Sequence, residues 1–146
     1  NEPNKNHYDK YRDCDIVFQH DAGFHSKDKL HAPVLNHIWA CTGNTSFKNT
    51  TGTKKIINII KTYQKKYNKN DQECLYQYML DNNITDLSQV KDAKLSTYNP
   101  EEYTNGYWLN HDIGNLDKTY FFHANHVIGN NNKKILLKKS NNWFID

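Results

Sequence analysis

The order of apolar and polar segments along the chain predicts several short strands. Apolar centres bounded by charged or turn residues are typical of strands, and they occur at DIVFQHD (15–21), HIWACTGNTSF (37–47), AKLSTYNP (93–100) and KTYFFH (118–123). We expect the second strand to break at Thr42-Gly43 and the third to stop at Pro100. An Asn-Gly pair favours a tight turn, which predicts one at Asn105-Gly106.

Two other segments have the periodicity of amphipathic helices. In GTKKIINIIKTYQKKY (52–67), apolar residues recur at i, i+4, i+7 and i+11, with lysines on the opposite face. In NDQECLYQYMLDNN (70–83), Leu75, Tyr78 and Met79 follow one helical stripe, and Asn70 or Asp71 can cap the first turn. KKILLKK (133–139) fits either a strand or a helix with solvated ends. Strands interspersed with two helices predict a mixed α/β protein.

Composition narrows the class of protein. A chain of 146 residues predicts one domain, here 1–146. Its net charge of +3 suits an anionic ligand, but the dispersed lysines do not indicate a nucleic-acid partner. No apolar run is long enough to span a membrane. Three cysteines without a C-x-x-C pair indicate reduced thiols and a cytoplasmic protein.

The stretch YFFHANHVIGNNNKK (120–134) combines groups that bind metals and phosphates. His123 ends an apolar strand, where open α/β sheets place ligand-binding residues, and its imidazole can bind Mn, Fe or Zn. Lys133 or nearby backbone amides can hold phosphate oxygens, and Gly129 permits a close approach of the backbone. On residue chemistry alone, a strand followed by a Gly/Asn turn and surface lysines explains this stretch as well.

Two acidic motifs also have both a structural and a functional interpretation. Asp71 begins a predicted helix, where a carboxylate interacts favourably with the helix dipole. This structural role explains its position without a ligand. Asp13-Cys14-Asp15 matches a D-x-D pattern, in which paired carboxylates bind a divalent cation. The residues before it are polar rather than a buried strand, so the pattern remains a motif match.

The order of these motifs carries more information than any one of them. DIVFQHD, ACTG, NDQECLYQYM, YTNGYW and HANHVIGNNNK...NNW, in that order, resemble the C-terminal half of the nucleotide-diphospho-sugar transferase family. These GT-A-type glycosyltransferases are similar to plant cell-wall xylosyl- and arabinosyltransferases. The resemblance extends from about Asp13 to Trp143 and implies a mixed-sheet, Rossmann-like GT-A fold. The strand that carries D-x-D and the nucleotide-binding half of such enzymes do not precede DCDIVFQHD. We therefore expect a GT-A fold incomplete at its N-terminus, the chain being a fragment, a truncated gene product or one part of a larger polypeptide.

The resemblance implies a reaction and its ligands. A sugar would move from a nucleotide-diphosphate donor to a hydroxyl of a glycan, protein or small molecule, assisted by a divalent metal, namely Mn. His123 would join the D-x-D carboxylate as a metal ligand, and Gly129 and Lys133 would hold the diphosphate. Asn125 would brace the intervening loop.

The remaining site residues are also implied by the resemblance. Asp71 and Gln72 would face the donor sugar or the acceptor as the catalytic pair. The other donor-binding residues would line the sugar pocket, namely Thr42, Gly43, Asn105 and Gly106. The alternative function is a non-catalytic, carbohydrate- or nucleotide-binding or structural remnant of such a domain, which calorimetry with UDP and Mn would distinguish from an enzyme.

Overall fold

The computed structural model describes residues 9–21, 40–110, 116–125 and 127–141, without the side chains of Trp108 and Asn110. The chain divides into two compact units, Asn1–Tyr98 and Asn99–Asp146. Residues 37–39 of the predicted strand 37–47, and Asn142 and Trp143 of the NNW motif, lie outside the described residues. The single domain 1–146 stays a prediction.

The first unit contains a three-stranded mixed sheet. Strand β1 (Ile16–His20) lies between β2 (Ala40–Phe47) and β3 (Leu95–Thr97). It pairs antiparallel with β2 and parallel with β3. All five residues of β1 are buried, as expected for a central strand covered on both faces. The structure thus confirms the strand in DIVFQHD and the mixed α/β class.

Strand β2 contains an irregularity at the predicted break. Phe18 pairs with Thr45, but the next residue, Gln19, pairs with Cys41, so residues 42–44 have no counterpart on β1. The Thr45 hydroxyl lies 3.3 Å from the carbonyl oxygen of Cys41 and bridges this bulge. The prediction that the strand breaks at Thr42-Gly43 is wrong, because the bulge absorbs the extra residues and the pairing resumes.

Two helices follow, and each begins at a side-chain cap. Helix α1 (Thr51–Tyr67) starts after Thr50, whose hydroxyl accepts a hydrogen bond from the Thr53 amide at 3.1 Å. Helix α2 (Asp71–Asp81) starts after Asn70, which forms a reciprocal capping box with Glu73. Asn70 rather than Asp71 is therefore the cap, and both predicted helices are confirmed.

The apolar faces of α1 and α2 complete the core of the first unit. Ile56 of α1 and Met79 of α2 are fully buried in one cluster with Phe18 of β1. Each such side chain contributes about 1.5–3 kcal/mol through burial. A short 3-10 helix, Leu87–Gln89, connects α2 to β3 and adds Leu87 to the same cluster.

The second unit is built on two parallel strands. Strand β4 (Tyr103–Asn105) pairs with β5 (Phe121–His123), and helices α3 (Gly106–Asn110) and α4 (Asn130–Lys139) follow them. The predicted tight turn at Asn105-Gly106 is wrong, because Asn105 is a fully buried strand end and Gly106 begins a helix. KKILLKK is helical, so the described residues contain more helices than the two expected from the sequence.

None of the helices in the described ranges is long and apolar enough to cross a membrane.

Candidate functional site

The carboxyl ends of β4 and β5 bring four of the predicted site residues together. Asn105 and His123 are register partners, because the two strands are parallel and end at the same edge. Gly106 and Asn125 lie just beyond these strand ends. Ligand-binding residues of α/β sheets are found at such carboxyl edges.

A backbone contact at this edge requires a glycine at position 106. The Gly106 amide donates a hydrogen bond to Oδ1 of Asn125 at 3.0 Å. A Cβ atom on residue 106 would overlap the carbonyl oxygen of Asn125 and lie 2.7 Å from Cδ2 of Leu136. Asn125 therefore ties the segment after β5 to the start of α3, and the absence of a side chain at 106 permits that approach.

The beginning of α4 is exposed and has no side-chain cap. Gly129 precedes the helix with φ of 86° and ψ of 152°, a conformation that residues with a Cβ rarely adopt. Its carbonyl accepts from the Lys133 amide at 3.2 Å, which closes the first turn. Asn132 turns back and donates from Nδ2 to the carbonyl of Ile128 at 2.8 Å.

The electrostatics of this helix start favour an anion. The first turn of α4 contains no acidic residue and its amides have no side-chain cap, so the positive end of the helix dipole is not neutralised there. Lys133 is exposed, and none of the ion pairs between described residues involves it. Gly129 and Lys133 thus provide backbone donors and a cation of the kind that bind phosphate oxygens.

The described residues do not by themselves form a metal centre. His123 ends β5 and is partly exposed, so its imidazole can act as one ligand. Within the part of the chain that the structure describes, no three His, Cys, Asp or Glu side chains are grouped to hold a metal ion. The ligand set implied by the resemblance is therefore represented here by a single imidazole.

Asp15 of the D-x-D pattern makes structural contacts. Its Oδ2 accepts a hydrogen bond from the Lys94 amide at 2.8 Å, and its carbonyl accepts one from the Thr53 hydroxyl at 3.1 Å. The pKa of Asp15 is lowered from its ordinary value, first by the Lys94 amide and then by a hydrogen bond from Thr50. This carboxylate joins the starts of β1, β3 and α1, at the amino end of β1.

The carboxyl end of β1 carries a second polar group of residues. Asp21 comes directly after β1, and its Oδ2 accepts a hydrogen bond from Nε2 of Gln72 at 2.6 Å. Asp71, the first residue of α2, is exposed, and its Oδ1 accepts from the Gln72 amide at 2.9 Å. The bulge at residues 42–44 leaves β2 beside Gln19, so Thr42 and Gly43 lie near this same end of β1.

The predicted site residues therefore form two groups, one in each unit. Six lie in the second unit and four in the first. In the second unit four of the six lie at the carboxyl strand ends, whereas Gly129 and Lys133 stand at the start of α4. Asp21 is a polar residue of this kind that sequence reasoning did not select. Its signal was a carboxylate directly after an apolar strand.

The fold and these strand ends together indicate a class of protein. A small α/β protein with mixed sheets, polar groups at the carboxyl strand ends and an uncapped helix start beside a lysine has the features of a phosphate-ligand binder. The family model for nucleotide-diphospho-sugar transferases matches residues 3–137, and the chain belongs to this family. No curated protein and no solved structure matches the chain significantly.

Proposed function

We propose that the protein is a glycosyltransferase of the GT-A type, which moves a sugar from a nucleotide-diphosphate donor to a hydroxyl acceptor. Family membership supplies the reaction class. The observation that carries the proposal is the uncapped start of α4, with Gly129 and Lys133, in the helix that follows β5 and its last residue His123 along the chain.

Charge development in the reaction explains why this helix start matters. As the bond between the sugar and the diphosphate breaks, negative charge accumulates on the phosphate oxygens. The first-turn amides of α4 and the Lys133 ammonium group are fixed donors that stabilise that charge more strongly in the transition state than in the bound donor. Gly129 leaves space for the phosphate, since no described residue other than its chain neighbours lies within 4 Å of the position that a Cβ would occupy.

The group at the carboxyl end of β1 supplies donors and acceptors for sugar hydroxyls. Gln72 is partly buried and Asp71 is exposed, and both stand at the first turn of α2. In the proposal they orient the donor sugar or the attacking hydroxyl, while Thr42 and Gly43 of the bulge line the pocket. Such positioning of reactants supplies a large part of the rate enhancement of group-transfer enzymes.

Manganese assistance is part of the proposal, with His123 as its candidate ligand. When bound, a divalent cation would neutralise charge on the diphosphate. Because no three metal-binding side chains are grouped among the described residues, the roles assigned to Lys133 and the α4 amides do not depend on the metal. All three cysteines are free thiols, and we place the protein in the cytoplasm, where thiols stay reduced.

Calorimetry and a transfer assay test the proposal together. UDP, GDP and a panel of their sugar conjugates are titrated with and without Mn, and sugar transfer or slow donor hydrolysis is then measured. The proposal predicts metal-enhanced binding of at least one nucleotide sugar and measurable turnover. Binding without turnover would instead identify a non-catalytic binding protein, and no binding of any nucleotide would contradict the transferase and favour a structural or carbohydrate-binding remnant.

The role of His123 is tested within the same assays. His123→Ala should abolish the enhancement of binding by Mn while the metal-independent binding of UDP persists. If the variant keeps full Mn-dependent binding and activity, the metal role of His123 is wrong.

A further inference from the structure

We infer that Asp21 is a positioning residue, which orients the side-chain amide of Gln72 so that its carbonyl oxygen accepts a hydrogen bond from a sugar hydroxyl. This inference rests on the proposed function. It adds a residue and a recognition chemistry that the family resemblance did not supply for this chain.

The contact itself joins two distant parts of the first unit. Asp21 follows the last residue of β1, and Gln72 is the second residue of α2, 51 positions further along the chain. Their hydrogen bond of 2.6 Å is partly buried. At that distance it is a short bond of the charge-assisted kind, which is about twice as strong as a bond between neutral groups.

The chemistry of the two groups fixes the orientation of the amide. A glutamine amide has two N–H donors on nitrogen and an acceptor on oxygen, whereas a carboxylate offers acceptors only. Turning the amide of Gln72 by 180° would place its oxygen against Oδ2 of Asp21 and replace attraction by repulsion. Asp21 therefore holds the nitrogen of Gln72 and leaves Oε1 as the end that can face a ligand.

The rest of the local structure keeps this pair in place. Asn70 and Glu73 form the capping box of α2 on either side of Asp71 and Gln72. The backbone amide of Gln72 donates a hydrogen bond to Oδ1 of Asp71. On the other side, β1 is the buried central strand of its sheet. A rigid strand end and a capped helix start are supports that can hold a recognition group within the small tolerance that orientation requires.

A sugar hydroxyl is the ligand group that fits an outward carbonyl oxygen. Hydroxyl donors are abundant on the donor sugar and on a carbohydrate acceptor, whereas phosphate oxygens are acceptors and would be repelled by Oε1 and by Asp21. The pair therefore belongs to the sugar side of the reaction.

The test separates the affinity for the sugar from the affinity for the nucleotide. Calorimetry measures Kd for UDP and for UDP-glucose, UDP-galactose, UDP-xylose and UDP-arabinose, using the wild type, Asp21→Ala, Gln72→Ala and the control Asp92→Ala. A second arm titrates the free monosaccharides into protein saturated with UDP. The first arm reports a donor hydroxyl and the second an acceptor hydroxyl.

Asp21→Ala and Gln72→Ala should each weaken sugar binding about tenfold in one of the two arms, as the loss of one well-oriented hydrogen bond predicts. Kd for UDP alone should change less than about twofold. Asp92 pairs with Lys55 on the surface of the same unit, so its variant should leave all values unchanged.

A reversed pair adds a rescue that a structural role would not show. Gln72→Glu places two carboxylates against each other and should lose sugar affinity. The double variant Asp21→Asn with Gln72→Glu restores a donor–acceptor pair and an outward oxygen, and it should recover most of that affinity.

Three results would overturn the inference. One is an unchanged sugar affinity for Asp21→Ala in both arms while Gln72→Ala loses it, and another is an absence of rescue in the double variant. The third is an equal loss of UDP and UDP-sugar affinity, because that indicates general unfolding. In each of these cases UDP still binds the wild type and the proposed function stands. If the wild type binds neither UDP nor any of the sugars, the proposed function fails as well.

Discussion

The longer helices of the two units differ in their N-terminal capping. In the first unit, Thr50 caps α1, and Asn70 caps α2 in a box with Glu73. In the second unit, α4 begins at Gly129 and no side chain caps it. A capped helix start has satisfied its backbone donors internally, whereas an uncapped one offers them to a ligand. This contrast supports the proposal that the diphosphate binds at the start of α4.

The carboxylates at the two ends of β1 also differ in their hydrogen-bond partners. Asp15 accepts from a backbone amide at the amino end, and its contacts join three secondary structure elements. Asp21 accepts from a side-chain amide at the carboxyl end. A motif match such as D-x-D therefore does not by itself show which carboxylate can reach a ligand. The neighbours of a carboxylate depend on the end of the strand at which it lies.

The largest expected effect on stability comes from two glycines that other parts of their unit approach closely. Gly106→Ala should destabilise the protein by about 3 kcal/mol, because its Cβ would overlap the Asn125 carbonyl group, which is backbone and cannot move aside. Gly52→Ala is the matched variant in the first unit. Its Cβ would lie 2.5 Å from Oδ2 of Asp15, a side-chain atom that can rotate away with loss of its hydrogen bond from the Lys94 amide, and 3.1 Å from Cα of Ala93.

Chemical denaturation of the two glycine variants measures this difference. Gly52→Ala should cost less than Gly106→Ala, because it also gains up to about 1 kcal/mol of helix propensity. Equal destabilisation by the two substitutions would show that the Asn125 contact is not fixed as described.

The caps provide a second and smaller contrast. Asn70→Ala should lower the free energy of unfolding by about 1 kcal/mol, since it removes the hydrogen bond that the Glu73 backbone amide donates to Oδ1 of Asn70 at 2.9 Å. Asn130→Ala, at the first residue of α4, should change it by less than about 0.5 kcal/mol, because that residue does not cap the helix. Comparable losses in thermal and urea unfolding would mean that α4 is capped in solution.

The smallest effect concerns the pH dependence contributed by Asp15. Its pKa is lowered in the folded protein, so its stabilising contribution is complete above its ordinary value of 3.8 and is lost as the pH falls through the folded value. Asp15→Asn should therefore be less stable than the wild type above about pH 4 and approach it toward pH 2. Because the carboxylate is partly exposed, the difference should stay below about 1 kcal/mol.

Urea unfolding at a series of pH values tests this prediction. Asp81 also has a lowered pKa, chiefly through the Gln77 amide, so some pH dependence should persist in the variant. A constant difference between wild type and Asp15→Asn from pH 2 to 7 would show that the Asp15 contact does not depend on its charge.

Local sequence signals sufficed for the first unit. The apolar residues of α1 recur with helical spacing, Asn70 and Glu73 form a local capping pattern, and β1 is a continuous buried run. These features depend on residues close in sequence, so a reader of the sequence can recognise them. The order of the motifs also led to the family that the chain belongs to.

The features that the sequence did not predict depend mainly on contacts between residues far apart in the chain. Asn105-Gly106 has the local signature of a hairpin turn, but the parallel pairing of Asn105 with His123 makes it a strand end. In α4 only Leu136 is buried, so its helical period is weak. Asp21 was missed because its partner Gln72 lies 51 residues away.

The most direct test of the central claim compares two lysines of α4 in UDP binding. Lys133 stands in the first turn and Lys138 in the last turn, and both are exposed. Calorimetry should show that Lys133→Ala weakens UDP binding about tenfold or more, as expected for a lost charge-assisted contact, while Lys138→Ala changes Kd less than about twofold. Equal effects of the two substitutions, or unchanged binding in Lys133→Ala, would contradict the assignment of the diphosphate to the start of α4.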